Sequence, residues 1–293
     1  MFEINASIAT HERRIWCAYR TQHLFQYDAK SCLTELDARL NPISIKPLKA
    51  ENGNTAFEDV RLYSHGDSLL AFYTYFPYDE QGGWKWQYGV GVGTVDTSSG
   101  LIRDQLSLRP FSKRMHEKNW CAYSFAGELY LVTDYEPFLR ILSIESEKIN
   151  LKIQEYYHHP SKTLGWPYGE IRGGTPLLAK PNGDDGWMYG FVHSYLSHTN
   201  GFSRFYYFTA ARLNHLTKEF QYYPIPLEFD QEELDADHDK LWYYSNQRQR
   251  KVIFPMGIMY YKKGILVSFG RDDVSSFSKY FTWKEMDNFF KDF

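Results

Sequence analysis

The chain has 293 residues, 43% of them hydrophobic and 24% charged, with a formal net charge of −3. These are the values of a soluble globular protein long enough to bury a core without staples. The basic residues are spread along the chain, which excludes a nucleic-acid footprint, and no apolar run is long enough for a membrane-spanning helix.

From the start of the chain, Met1 to Arg20 shows no basic segment followed by an apolar run, so no signal peptide is expected. Cys17, Cys32 and Cys121 have no metal-site spacing, and so sparse a count fits a reducing compartment, with the cytoplasm as the expected location.

One pattern then recurs five times: a polar or glycine-containing turn, an apolar strand, and an aromatic or polar strand end. His11-Glu12 leads into Arg14 to Arg20, and His65-Gly66-Asp67 into Leu69 to Tyr75. Ala126-Gly127-Glu128 leads into Leu129 to Tyr135, Gly183 to Gly186 into Trp187 to Ser194, and Lys262-Lys263-Gly264 into Ile265 to Arg271. A strand-like run precedes each copy: Ala6 to Ala9, Val60 to Tyr63, Trp120 to Phe125, Thr175 to Ala179 and Phe254 to Tyr260. Each block therefore reads as a hairpin. A repeat spacing of roughly 50 to 75 residues suits a four-stranded propeller blade with its loops. Gln231 to Arg250 reads as a long loop, and Thr282 to Phe293 as a terminal amphipathic helix. The expected fold is all-β: a five-bladed β-propeller with a short C-terminal helix, a single domain over residues 1–293. Equivalent strand ends would then surround one central cavity.

Several short motifs fall in order along these repeats. They are Asn5-Ala6-Ser7-Ile8 and then Arg20, Phe57-Glu58-Asp59-Val60-Arg61, Glu117-Lys118-Asn119-Trp120, Arg172-Gly173-Gly174-Thr175-Pro176 with His193 on the next strand, Phe254-Pro255-Met256-Gly257, and Ser268 to Asp273. Together they resemble glycoside hydrolase family 130, the mannoside phosphorylases and hydrolases, and related propellers found with glycan-assembly enzymes. The resemblance covers nearly the whole chain. Val60 stands where the family has proline, Phe269 where it has tyrosine, and no histidine follows Pro137.

The resemblance implies an inverting β-mannoside phosphorylase, or a related hydrolase or transferase, with a carbohydrate substrate. It makes Asp59 the general acid, which at neutral pH requires a raised pKa. Glu58 is adjacent, but on a regular strand it would face the other side. A phosphorylase uses inorganic phosphate as co-substrate and needs a cationic cradle. Arg20, Lys118, Arg172 and His193, from four blades, are the candidates. A hydrolase instead needs a carboxylate to activate water, for which Glu117, Asp134 and Asp273 are available. Asn5, Ser7, Arg61, Trp120, Asp134, Tyr135 and Asp273 are the candidate sugar-binding residues, with Trp120 and Tyr135 as stacking platforms.

No other cofactor and no metal is expected. Gly89 to Gly93 lacks the helix and Lys-Ser/Thr pair of a phosphate loop and reads as a strand. His158-His159 has no third ligand at a metal-site spacing. Ser7 and Ser194 have no nucleophile elbow, and the acids of Asp230 to Asp239 read as a solvated loop. Two other classes stay open: a glycan-binding propeller without catalysis, and a protein-interaction platform. Oligomeric state is not legible.

Overall fold

The computed structural model describes residues 2–23, 26–51, 57–75, 88–108, 118–145, 152–160, 166–197, 204–228, 252–271 and 275–292. Five antiparallel sheets follow one another along the chain. The first contains β1 (Phe2–His11), β2 (Arg14–His23), β3 (Gln26–Leu36) and β4 (Pro42–Pro47) in sequence order. The second orders β6 (Glu58–His65), β7 (Ser68–Tyr75), β8 (Gly89–Asp96) and β9 (Leu101–Ser107), and the short β5 (Lys49–Ala50) joins β9 in parallel. The third contains β10 (Cys121–Phe125), β11 (Glu128–Asp134), β12 (Phe138–Glu145) and β13 (Lys152–Pro160). In the fourth, the two short strands β14 (Arg172–Gly173) and β15 (Leu178–Ala179) pair with β16 (Trp187–Ser197), followed by β17 (Arg204–Asn214) and β18 (Phe220–Tyr222). The fifth holds β19 (Ile253–Tyr261), β20 (Gly264–Arg271) and β21 (Ser275–Thr282).

The expected hairpins are all present. Glu12 and Arg13 both take positive φ in the β1–β2 turn, as do Ala126 and Gly127 between β10 and β11. That pattern matches the right-handed twist of the flanking strands. Gly89 to Gly93 is indeed strand, and the missing side chain of Gly91 leaves room for the Tyr73 ring.

Apolar clusters hold the sheets together at every junction. Trp16 and Leu33 meet Leu62 and Leu69 between the first and second sheets, and Tyr63 and Phe72 meet Trp120 and Leu131 between the second and third. Tyr123 and Ile141 meet Met188 and Leu213, and Phe191 and Phe208 meet Ile265 and Phe269. Ile8 and Tyr19 then meet Met259 and Leu266, which joins the last sheet to the first. A sheet hydrophobic on both faces needs a neighbour on each side, and a closed ring supplies one to every sheet. The molecule is therefore a five-bladed β-propeller, with β1, β6 and β19 in mutual contact at its centre.

The terminal helix is shorter than expected. It forms α1 (Trp283–Asn288), started by a capping box between Thr282 and Glu285, and Met286 and Phe290 seat it against the fourth and fifth blades. The Gln231 to Arg250 loop lies outside the described residues.

Candidate active site

The site is built where inner strands break their own pattern. The β1–β2 register shifts between Ile4 and Ser7, and the β6–β7 register between Glu58 and Arg61. In these bulges Asn5 and Asp59 each adopt φ 55, and Asn119, just ahead of β10, adopts φ 69. Asn and Asp tolerate this left-handed region better than other residues with a side chain, and a bulge re-aims the chain next to it. Three blades thus turn a short polar side chain the same way. Close approach completes the arrangement: a Cβ on Gly270 would lie 2.0 Å from Asn5 Oδ1, and one on Gly173 would lie 2.0 Å from the Asn119 carbonyl oxygen.

Asp59 is the centre. It is 5% exposed, accepts from Asn5 Nδ2 at 2.8 Å, and pairs through Oδ2 with Lys118 Nζ at 3.3 Å. Glu58 accepts from Arg20 Nη1 at 3.1 Å. The expectation that Glu58 faces away is corrected here. The left-handed Asp59 interrupts strand alternation; Glu58 feels the Asp59 charge, and both carboxylates feel Arg20 and Lys118.

The electrostatics reverse a second expectation. Burial pushes the Asp59 carboxyl up, but Lys118, Arg20, Arg61 and the Asn5 hydrogen bond outweigh it and hold the pKa at about 2. Asp59 is therefore ionised, whereas a general acid needs its proton. Burial and then the Asp59 charge push Glu58 the other way, above the usual carboxylate range. Burial opposes the Lys118 ammonium, yet the Asp59 and Glu58 charges raise its pKa.

His193 is buried, and burial, followed by the Arg61, Arg172 and Lys118 charges, drives its pKa well below the ordinary imidazole value. It is neutral at neutral pH. The expectation that it adds positive charge to an anion cradle is thus corrected to a neutral hydrogen-bonding role. Its ring lies parallel to Tyr206 at 6.2 Å and edge-on to Phe254 at 4.5 Å. Arg172, its strand neighbour on β14, donates to Glu170 at 3.1 Å and lies 5.1 Å over Tyr195. The buried Nε of Arg20, Nε of Arg172 and Nδ1 of His193 have no hydrogen-bond partner among the described residues.

The structure therefore brings Asn5, Arg20, Asp59, Lys118, Arg172 and His193 into one electrostatically connected group. Other candidates are placed in the framework. Arg61 is buried and donates through Nε to the Gly174 carbonyl (2.6 Å), through Nη1 to the Asp59 carbonyl (3.1 Å) and through Nη2 to Asn119 Oδ1 (3.0 Å). Its guanidinium ties three blades rather than holding a sugar. Ser7 is fully buried, its hydroxyl taking the Leu62 N–H and reaching the Met256 carbonyl. Trp120 and Tyr135 are 2% and 1% exposed inside apolar clusters, so neither offers a face for stacking. Asp134 pairs with Arg140 at 3.9 Å and accepts from Thr133, within its own blade. Asp273 and Glu117 lie outside the described residues, as do the acids of 230–239 and the side chains of His158 and His159. Ser194 joins Trp166 to the Tyr168 carbonyl.

Sequence reasoning missed Tyr206, whose ring lies parallel to that of His193. Nothing in the pattern of β17 separates Tyr206 from the aromatic residues beside it. Asn119 was in view within the Glu117 to Trp120 motif, but its left-handed backbone was not.

No family model matches the sequence, and no curated protein matches it. Solved structures do. A β-1,2-mannobiose phosphorylase from Listeria innocua, in complex with β-1,2-mannobiose, superposes with a TM-score of 0.64 at 12% identity over 100% of this chain and 93% of its own. MPT-1, a GDP-Man-dependent mannosyltransferase from Leishmania mexicana, gives 0.63 at 13% identity over 97% and 86%. A structure described for the GH130 family of mannoside phosphorylases, whose glycoside hydrolases target β-1,2 mannosidic linkages in Candida mannan, gives 0.62 at 12% over 97% and 85%. The chain thus has the five-bladed β-propeller fold of the GH130 mannoside phosphorylases and related glycosidases.

Proposed function

We propose that this chain is a carbohydrate-active enzyme that moves a β-linked mannosyl unit between a sugar hydroxyl and inorganic phosphate, as an inverting β-mannoside phosphorylase. The observation that carries this reading is the buried Asp59 carboxylate, gripped by Asn5 and Lys118 in the field of Arg20, with Arg172 next to His193; the Nε groups of both arginines have no partner among the described residues. Arginine suits phosphate through paired N–H donors, and lysine acts as a point charge. Both described carboxylates of the group, Glu58 and Asp59, are paired with cations. The fold shared with a mannobiose phosphorylase and a mannosyltransferase supports a mannosyl substrate.

In the synthetic direction an acceptor hydroxyl attacks C1 of mannose 1-phosphate from the face opposite the leaving group. The C1–O bond to phosphate breaks, a new C1–O bond forms, and the hydroxyl proton passes to the Asp59 carboxylate. Phosphorolysis is the reverse: phosphate attacks C1, and the departing sugar oxygen takes a proton from the carboxyl. Incubation with mannose 1-phosphate and mannose tests this, with one inorganic phosphate expected per disaccharide formed. No phosphate release from any mannosyl donor and acceptor pair would end the reading.

A second reading is favoured by the low Asp59 pKa, since a permanently ionised carboxylate is a good acceptor for sugar hydroxyls. The chain is then a glycan-binding propeller. Mannose binding that survives Asp59→Asn, without phosphate release by the wild type, would support it.

A further inference from the structure

The four charges nearest the centre balance. Glu58 and Asp59 carry two negative charges, and Arg20 and Lys118 carry two positive ones in direct contact with them. Arg61 adds a fifth charge, but its three donor groups are engaged by the main chain and Asn119. Arg172 already pairs with Glu170. A dianion entering this group therefore meets few uncommitted positive charges. Of the two cations in direct contact, Lys118 has the more exposed side chain, 29% against 15% for Arg20, and carries its charge on a flexible four-carbon stem.

We propose that Lys118 couples anion binding to proton uptake: an anion that draws Lys118 away from Asp59 obliges the Glu58–Asp59 pair to take up a proton. The inference rests on the phosphorylase reading only in making phosphate the natural anion. Two adjacent carboxylates, Asp59 buried and Glu58 half-buried, resist both staying ionised once a counter-charge is withdrawn and a negative ligand arrives. The groups that face the pair are Asn5 from β1, Arg20 from β2, Arg61 from β6 itself and Lys118 ahead of β10. Asn5 cannot replace the lost charge, and Arg20 is held by Glu58. The raised proton affinity of Glu58 and the depressed one of Asp59 fit a pair that shares the next proton. The consequence is chemical. Phosphate arrival would itself supply the protonated carboxyl that phosphorolysis needs, so the acid is charged only when the nucleophile is present.

Sulfate is the appropriate probe, because it is a phosphate-like dianion that does not titrate near neutrality. Calorimetric titration at pH 6 in two buffers of different ionisation enthalpy counts the protons exchanged. The expected result is uptake of half to one proton per sulfate in the wild type, as the charge balance requires. Uptake should be nearly abolished in Lys118→Met and in Glu58→Gln/Asp59→Asn, with the latter still binding sulfate. Sulfate binding without proton uptake, or undiminished uptake in the double variant, would overturn the inference while leaving the phosphorylase reading intact. Failure of the wild type to bind sulfate or phosphate at all would overturn both.

Discussion

Lys118 and Asp59, from neighbouring blades, form an ion pair 3.3 Å apart around a carboxylate that is 5% exposed. Asn5 from a third blade fixes the same carboxylate. A charge this buried is tolerated only because partners surround it. Removing it should affect chemistry more than folding. Asp59→Asn keeps the shape and leaves Lys118 beside Glu58, so kcat should fall about 10²-fold or more, the scale of a lost acid–base group. Steady-state phosphate release, with circular dichroism to confirm the fold, checks this.

Arg61→Lys should destabilise strongly despite conserving charge. Lysine cannot reproduce a planar fork that meets three acceptors on three blades. Leaving buried acceptors unpaired should cost about 3 kcal/mol, read as a lower midpoint in urea.

Gly173→Ala tests the close approach between the third and fourth blades. The added carbon would sit 2.0 Å from the Asn119 carbonyl oxygen and 2.6 Å from Cys121 Sγ. Overpacking of this kind costs about 1–3 kcal/mol. Because Lys118 is the adjacent residue, loss of phosphate binding should accompany the lower melting temperature.

Trp120 separates packing from sugar stacking. It is buried between the second and third blades, so Trp120→Phe should lower stability and leave the sugar KM within about twofold, since no ring face reaches a ligand. A KM rise of tenfold or more without loss of stability would restore the stacking role.

Acid should weaken the fold in two windows. Burial first, together with nearby cations, depresses the His193 pKa, and burial depresses His65 and, with Lys218, His215 to about 4. A group with a lowered folded pKa stabilises above its unfolded value and loses that contribution as pH falls. The histidine window therefore opens below about 6.5, the ordinary imidazole value. The Asp59 contribution follows, present above the unfolded 3.8 and lost towards about 2. Glu58 has the opposite sign, since its raised pKa costs stability as pH rises through it. Melting temperature against pH should fall from pH 7 to pH 4, with a smaller fall in His193→Gln.

Much of this was legible because repeats impose geometry. Each hairpin could be read from a turn and an apolar run, and five of them at regular spacing fix where inner strands begin. Asn5, Asp59 and Lys118 sit at or just before those beginnings, so their convergence followed from the ring. Their electrostatics did not. Period-two alternation sends Glu58 away from Asp59, and only a left-handed residue inside the strand, invisible as sequence, brings it back. The roles of Arg61, Trp120 and Ser7 were hidden for another reason. An arginine, tryptophan or serine near a pocket looks the same in sequence whether it faces the ligand or bridges two blades behind it.

The most direct test of the account is inorganic phosphate release from mannose 1-phosphate with mannose as acceptor, in the wild type and in Asp59→Asn and Lys118→Met. The account predicts stoichiometric phosphate and disaccharide from the wild type and at least about a hundredfold loss in each variant, as expected when an acid–base group or its charge partner is removed. Turnover undiminished in both variants would contradict it.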